Sequence, residues 1–396
     1  MNTLSRLIPG LAVASLLAAC GGGATAPAAS PSAASPSSAP SAAASKPAAS
    51  VAASAAASAK PAAASASAKP AASGAAASAK PVASGGAIPS IPAGQKVKIV
   101  TATGVPSVVF TPMWIAIDTG IFPKYGLDAS LENIEGVKQA QALIAGDVQV
   151  GNVGGAEILN SRAGGANMVA IEETTASPLF EIHAPPEYKK VEDLKGKTMA
   201  ITQTGSSTDM AARVLLKNHG LEPDKDVKLL NASNMPGILA AMVSKNVQAG
   251  TVSPPTTVKA DQAGFPKLAS ALDEHVPLQN NLIAVMKPYA DQHPEVVYAY
   301  LKAILEANKV YLDKPDVAIA SIAKHTDSDQ PTSKLAYDAM KPALEQIGVV
   351  QEAGIKTVQD YGVNPKIKDL KLSDAYDNTY INNLKASGFT DQIGLK

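Results

Sequence analysis

Lys96-Val-Lys-Ile-Val-Thr-Ala-Thr-Gly104 and Lys195-Gly-Lys-Thr-Met-Ala-Ile-Thr-Gln-Thr-Gly205 are two versions of one plan, a short apolar run that ends in a glycine-bearing turn. Each is followed by a helical stretch and then by a glycine-leucine-acid signal, Gly126-Leu127-Asp128 in the first copy and Gly220-Leu221-Glu222 in the second. Those glycines stand where a helix C-terminus needs a left-handed residue before the next strand. The strand-like runs Ala129 to Ile134 and Val227 to Ala232 come next, then another helix and a third strand. There Asp147-Val-Gln-Val-Gly-Asn-Val153 matches Asn246-Val-Gln-Ala-Gly-Thr-Val252 at an offset of 99 residues.

Strands alternating with helices at this spacing form βαβ units around a parallel sheet, so the duplication predicts two α/β lobes. Ligands of open α/β sheets sit beyond the carboxyl ends of the strands, which places the expected site in the cleft between the lobes. Leu179-Phe-Glu-Ile-His183 reads as the last strand before the chain leaves the first lobe, and Leu282 to Met286 as the strand of its return. The lobes are expected at 96–190 and 191–276, with 277–396 adding the return strand and C-terminal helices to the first. His293-Pro294-Glu295 opens a helix whose apolar stripe is Val296, Val297, Tyr300, Leu301, Ile304 and Leu305. Further helices are expected at 315–325, 331–347 and 373–387.

The N-terminal quarter differs in kind. Met1 to Arg6 carries one positive charge, an apolar run follows from Leu7 to Leu17, and the small residues Ala18 and Ala19 precede Cys20. This is a signal peptide, 1–19, too short to span a membrane stably, and its end resembles the lipobox at which bacterial lipoproteins are cleaved and lipidated. Cys20 is then the membrane anchor. It is the only cysteine, which excludes disulfides and cysteine-ligated metals. Residues 20–95 are Ala, Ser, Pro and Gly with scattered lysines and little to bury, so they are expected to form a disordered tether.

The chain holds 34 basic and 34 acidic residues, but 1–95 contain five basic and no acidic ones, leaving the folded part with a net charge of about −5. A mildly acidic domain offers no electrostatic footprint for nucleic acid.

Gly104-Val-Pro-Ser-Val-Val-Phe-Thr-Pro-Met-Trp114, running on to Gly120-Ile-Phe-Pro-Lys-Tyr-Gly-Leu-Asp128, resembles the opening of the nitrate, sulfonate and taurine class of ABC-transporter solute-binding proteins. Relatives of that class include thiamine-pyrimidine (NMT1/THI5-like) binders. Val191-Glu-Asp-Leu-Lys-Gly-Lys197, a strand and then Gly205-Ser-Ser207 are similar to the entry into the second lobe of those proteins. The resemblance covers 96–396 and implies a type II periplasmic-binding fold, α/β and two-lobed, in a monomer of the cell envelope. It implies capture of a small polar or singly anionic organic molecule and its delivery to the transmembrane subunits of an ABC permease, with no catalysis and no cofactor. A sensor or receptor subunit of the same fold is the alternative.

Carried onto this sequence, the ligand positions of the class fall in four segments: Val105, Pro106, Ser107 and Phe110 after the first strand; Gly154, Gly155 and Ala156 after the third; Gly205, Ser206, Ser207 and Thr208 in the second lobe; and Ser253 with Pro254 after its third strand. The duplication itself pairs Gly154 with Ser253 and takes Gly104 and Gly205 as the ends of matching first strands. Gly205-Ser-Ser-Thr208 is a strand-to-helix turn whose N–H groups and hydroxyls favour an anion or polar acceptor, while the same serines are ordinary helix caps. Asp209 and Glu157 in the first turns offset that polarity. The only arginines after the signal peptide, Arg162 and Arg213, fall past the first turns of predicted helices, so no guanidinium clamp is evident. Phe110 and Trp114 are candidates to stack on a ligand ring, with the core as the alternative place for Trp114.

An enzyme on this fold is the rival. The cysteine-rich motif of the pyrimidine-precursor enzymes is absent, the five histidines are isolated in sequence, and Ser321-Ile-Ala-Lys324 lacks the companion elements of a Ser-x-x-Lys nucleophile. The pair Glu172-Glu173 reads as a solvated edge.

Overall fold

The computed structural model describes residues 87–104, 106–175, 178–279 and 281–395; the signal peptide, Cys20 and the tether up to residue 86 lie outside them. Among the described residues, ten strands build two five-stranded sheets. The first holds β1 (Val97–Thr103), β2 (Leu127–Asn133), β3 (Val150–Val153) and β4 (Met168–Glu173), and the second holds β5 (Glu181–His183), β6 (Thr198–Ile201), β7 (Lys228–Asn231), β8 (Ala249–Val252) and β9 (Lys267–Ser270). The last strand, β10 (Leu282–Met286), goes back to the first sheet. The sheet orders are β2-β1-β3-β10-β4 and β7-β6-β8-β5-β9. In each, three parallel strands are followed by one antiparallel strand that reaches it from the other side of a lobe crossing.

The repeat is visible in the registers. Ala102 pairs with Gly151 in the first sheet, and Ala200 with Gly250 in the second. Both glycines let a helix lie close on the strand. A Cβ on Gly151 would stand 2.9 Å from Leu143 of α3 (Gly136–Ala145), and one on Gly250 would stand 2.4 Å from Ile238 of α6 (Met235–Val243). In chain order the helices before β10 are α1 (Thr111–Asp118), α2 (Ile121–Lys124), α3, α4 (Gly155–Ala163), α5 (Ser207–Asn218), α6 and α7 (Thr256–Gln262).

Two elements depart from the sequence reading. The run Leu179 to His183 is not the last strand of the first lobe: β5 sits in the second sheet, antiparallel between β8 and β9. A three-residue apolar strand fits either sheet by its pattern, and its ladder decides. The acids Glu172 and Glu173 are also not a solvated edge. They end β4, every residue of which is buried, and they are 0% and 1% exposed.

The two crossings between the lobes are joined by hydrogen bonds between their described residues. Thr174 N donates to Asn281 O at 3.1 Å, and Ala271 N to Phe180 O at 2.9 Å. Helices α8 (Lys287–Gln292), α9 (Pro294–Asp313), α10 (Pro315–Thr326), α11 (Gln330–Met340), α12 (Glu352–Tyr361), α13 (Thr379–Ala386) and α14 (Phe389–Gln392) follow. The expected helix 331–347 gives way to a 3-10 turn at Lys341, and that at 373–387 begins only at Thr379. The 20-residue α9 is the spine of the first lobe, burying Tyr300, Leu301, Ile304 and Tyr311 against α1 and α10. The end of the expected tether is also part of this lobe. Ile88 and Ile91 pack against its core, because they bring the large apolar side chains that the Ala/Ser/Pro stretch lacks.

Candidate functional site

A cavity of about 90 Å³ lies between the lobes at the carboxyl ends of their central strands. Gly104 and Gly154, which follow β1 and β3, line it from the first lobe with Ser107, Phe110, Asn152 and Glu157. Thr202 after β6, the opening turn of α5 (Ser206, Ser207 and Thr208) and Ser253 after β8 face them. Val109, Val153, Phe180 and Met235 supply apolar wall, while Gly136 and Gln139 complete the lining.

Seven of the residues expected from the sequence meet here: Ser107, Phe110, Gly154, Ser206, Ser207, Thr208 and Ser253. Five stand behind or beside the wall. Gly155 N donates to Gln279 O at 3.0 Å, Ala156 belongs to the core, and Pro106 lines a separate groove with Pro255. Pro254 takes part through its carbonyl, which accepts Val108 N at 3.0 Å and the Ser107 hydroxyl at 3.4 Å. Gly205, with φ of 81°, is not the end of a strand; its N–H donates to Asp209 at 2.8 Å. The position that mirrors Gly104 is Thr202, next after Ile201 of β6. Val105 lies outside the described residues. Trp114 is 1% exposed and stacks on His325 at 4.9 Å between ring centroids, within the first lobe's core.

The α5 turn is knitted together before any ligand arrives. Ser206 caps the helix by accepting Asp209 N, and its hydroxyl donates to Gln203 O at 2.7 Å. Thr208 Oγ1 accepts Thr202 N at 3.0 Å and lies 2.6 Å from Thr202 Oγ1 and 2.9 Å from Ser206 Oγ. These hydroxyls both line the cavity and satisfy one another. Ser207 Oγ instead reaches across the cleft to Glu157 Oε2 at 3.4 Å.

Glu157 is the one titratable side chain among the described lining residues of the cavity. It opens α4, is 5% exposed, and burial raises its pKa although the amides of Gly154, Glu157 and Ser207 pull the other way. Asp209 is occupied by Gly205 N and by Arg213 Nε at 2.8 Å, and Arg213 also pairs with Asp224. Arg162 donates to Asn167 and to Met168 O. Both arginines are therefore spent outside the cavity. Asn152 of β3 is 4% exposed and its Oδ1 has no hydrogen-bond partner. Leaving a buried acceptor unpaired costs about 1–3 kcal/mol.

The sequence reading missed Gln139, Asn152, Phe180, Thr202 and Met235 as lining residues. Asn152 carried a signal, an amide in an otherwise apolar strand, and Thr202 follows from the repeat once β6 is seen to end at Ile201. Elsewhere, Ser321 and Lys324 both donate to Asp118 of α1, and His183 is held by Phe265 O and Glu181. Among the described residues no cluster of three or more His, Cys, Asp or Glu side chains could hold a metal ion.

The sequence pattern of the NMT1/THI5-like proteins matches residues 107–318, more than half of the chain and most of the two lobes. The chain belongs to the NMT1/THI5-like family. Within reach of this family, it is 29% identical over 221 residues to a candidate binding protein of Brucella abortus, covering 54% of this chain and 67% of the relative. It is 26% identical over 197 residues to the taurine-binding periplasmic protein of Escherichia coli, covering 46% of this chain and 57% of that one. The solved structure of the periplasmic aliphatic sulphonate-binding protein of Escherichia coli shares the fold seen here. It superposes with a TM-score of 0.58 at 19% identity, over 70% of this chain and 91% of its own.

Proposed function

We propose that this protein is an extracytoplasmic solute-binding protein that captures a small polar organic molecule by closing its two lobes and hands it to an ABC permease. The observation that carries the reading is the cavity itself, walled by strand ends and helix openings of both lobes and bridged by Ser107, Ser253 and Pro254. Contacts made to a ligand from both sides exist only in the closed arrangement, so ligand binding drives closure. The names of the relatives, one a taurine binder and one a sulphonate binder, favour a small organic solute. In this reading Cys20 bears the lipid that holds the monomer to its membrane, and the Ala/Ser/Pro tether sets its reach above it.

The test is a thermal-melting and calorimetric panel of sulfonates, carboxylates, nitrate, amines and pyrimidines against the purified protein, since a ligand of the folded state raises the midpoint. A compound that raises it and is recovered chemically unchanged is the expected result. Turnover of that compound would make the protein an enzyme, and a silent panel would count against the binder.

A further inference from the structure

We infer that the solute carries an unbranched hydrocarbon tail, which leaves the cavity past Glu157 and lies in the groove between α3 and α4 of the first lobe. The inference rests on the solute-binding reading above and adds a second subsite to it.

The cavity is small for a whole organic solute. Engineered cavities of about 150 Å³ take a benzene ring, so one of about 90 Å³ takes a polar head of a few heavy atoms. Beside it the first lobe carries a groove of about 450 Å³. Val137, Ala140 and Ile144 line this groove along α3, and Glu157, Asn160 and Ser161 along α4. Steps of three and four residues put each set on one face of its helix, so the groove runs between the two helices. From Val137 to Ile144 it is about 10 Å long at about 1.5 Å per residue, the span of roughly six to eight extended carbons.

Glu157 is common to the cavity and the groove. The two therefore meet at the N-terminal ends of α3 and α4, where Gly136 also lines the cavity. The second-lobe loop 203–205 lies against this joint: a Cβ on Gly136 would stand 3.7 Å from Gln203 Oε1, and one on Gly205 would stand 3.7 Å from Asn160 Nδ2. Both positions have positive φ, 46° and 81°, and neither sends a side chain into the joint. The hydrogen bond from Ser207 Oγ to Glu157 at this point is long, 3.4 Å, where such bonds are weak.

The far end of the groove is apolar and uncovered. Ile144 is 47% exposed, one of five large apolar side chains that stay in water among the described residues. Neither lysine nor arginine is among the described lining residues, so a second charged group of the solute finds no opposite charge there. A hydrocarbon tail needs none, and it removes Ile144 and Val137 from water.

The experiment is titration calorimetry on the whole protein with n-alkanesulfonates, n-alkanoates and n-alkylamines of two to eight carbons. In each series that binds, affinity is expected to rise about two- to fourfold with every added CH₂ and to level off at the length of the groove. Ile144→Asp puts a charge on the groove wall and Ser161→Phe fills it, both at positions outside the core. Each is expected to flatten the rise and leave the affinity for the two-carbon member unchanged. Equal affinity at every length, or a rise that both variants keep, would overturn the inference while leaving the protein a solute binder. A dimer that Ile144→Asp dissolves would give the groove to a second copy and overturn it too. If no member of any series bound, the inference would fall, and the panel above would decide whether the solute-binding reading falls with it.

Discussion

The hydroxyls of Ser107 and Ser253 meet at 3.1 Å across the cleft, one carried by the turn after β1 and the other by the turn after β8. Beside them the Val108 amide donates to Pro254 O. The contact joins the two lobes, and in the lobe-closing function proposed above it belongs to the closed arrangement. Replacing both serines by alanine removes about 1 kcal/mol from that arrangement. The double variant is expected to show a larger radius of gyration in solution scattering without ligand, with unchanged melting. An unaltered scattering profile would mean that the lobes are held by other contacts.

Thr208 and Ser207 are neighbours with different duties. Thr208 Oγ1 is the acceptor for the buried Thr202 amide, whereas Ser207 makes one long contact to Glu157. Thr208→Val is therefore expected to lower stability by about 1–3 kcal/mol, the cost of an unpaired buried amide. Ser207→Ala should stay within about 0.5 kcal/mol. Urea unfolding of the two variants checks the order, and a reversed order would refute it.

Glu172 gives the fold a pH dependence. Burial raises its pKa to about 8, helped by the charges of Glu173 and Glu345 and opposed by the Thr174 hydroxyl; Glu173 is raised to about 7, again by burial. The folded state thus holds these protons more tightly than the unfolded chain does. The stability they contribute is complete below the ordinary carboxylate range and is lost as pH rises through about 7 and then about 8. The melting temperature should fall between pH 5 and pH 8, about where those groups titrate. Glu172→Gln should flatten the fall, and a profile as steep as the parent's would show that other groups cause it.

The two strand glycines make an internal control. Both lie beneath a helix, but the space above Gly250 is tighter: an added Cβ would stand 2.4 Å from Ile238 and 2.8 Å from Met242, against 2.9 Å from the end of Leu143 for Gly151. Gly250→Ala should cost about 1–3 kcal/mol by overpacking, and Gly151→Ala clearly less. Equilibrium unfolding of the pair measures the difference.

The fold class was legible because the repeat preserves what βαβ packing needs: an apolar strand, a glycine after the helix, and the Val-Gln-x-Gly core of the third strand. The cleft followed from the fold, and with it Ser107, Gly154, Ser206 and Ser253 as cavity walls. What the pattern hid is long-range. The partners of β5 lie some 70 and 90 residues away, at β8 and β9, and nothing local in Leu179 to His183 points to them. Adjacent acids usually mark solvent, so the burial of Glu172 and Glu173 shows only once β10 and the C-terminal segment around Gln351 close over β4. Cavity residues on other elements, such as Gln139 and Met235, have no shared motif to join them.

The strand borrowed by each sheet also sets an order of assembly. All five strands of the second sheet lie within one unbroken stretch, from Glu181 to Ser270. The first sheet is different: without β10, which begins only at Leu282, β4 has no strand of its sheet beside it. A chain emerging N-terminus first can therefore finish its second lobe while the first still waits with a gap in its middle. The part of the protein that is made first is completed last, since β10 and the helices after it, α9 among them, arrive only once the strands of the second lobe have been made.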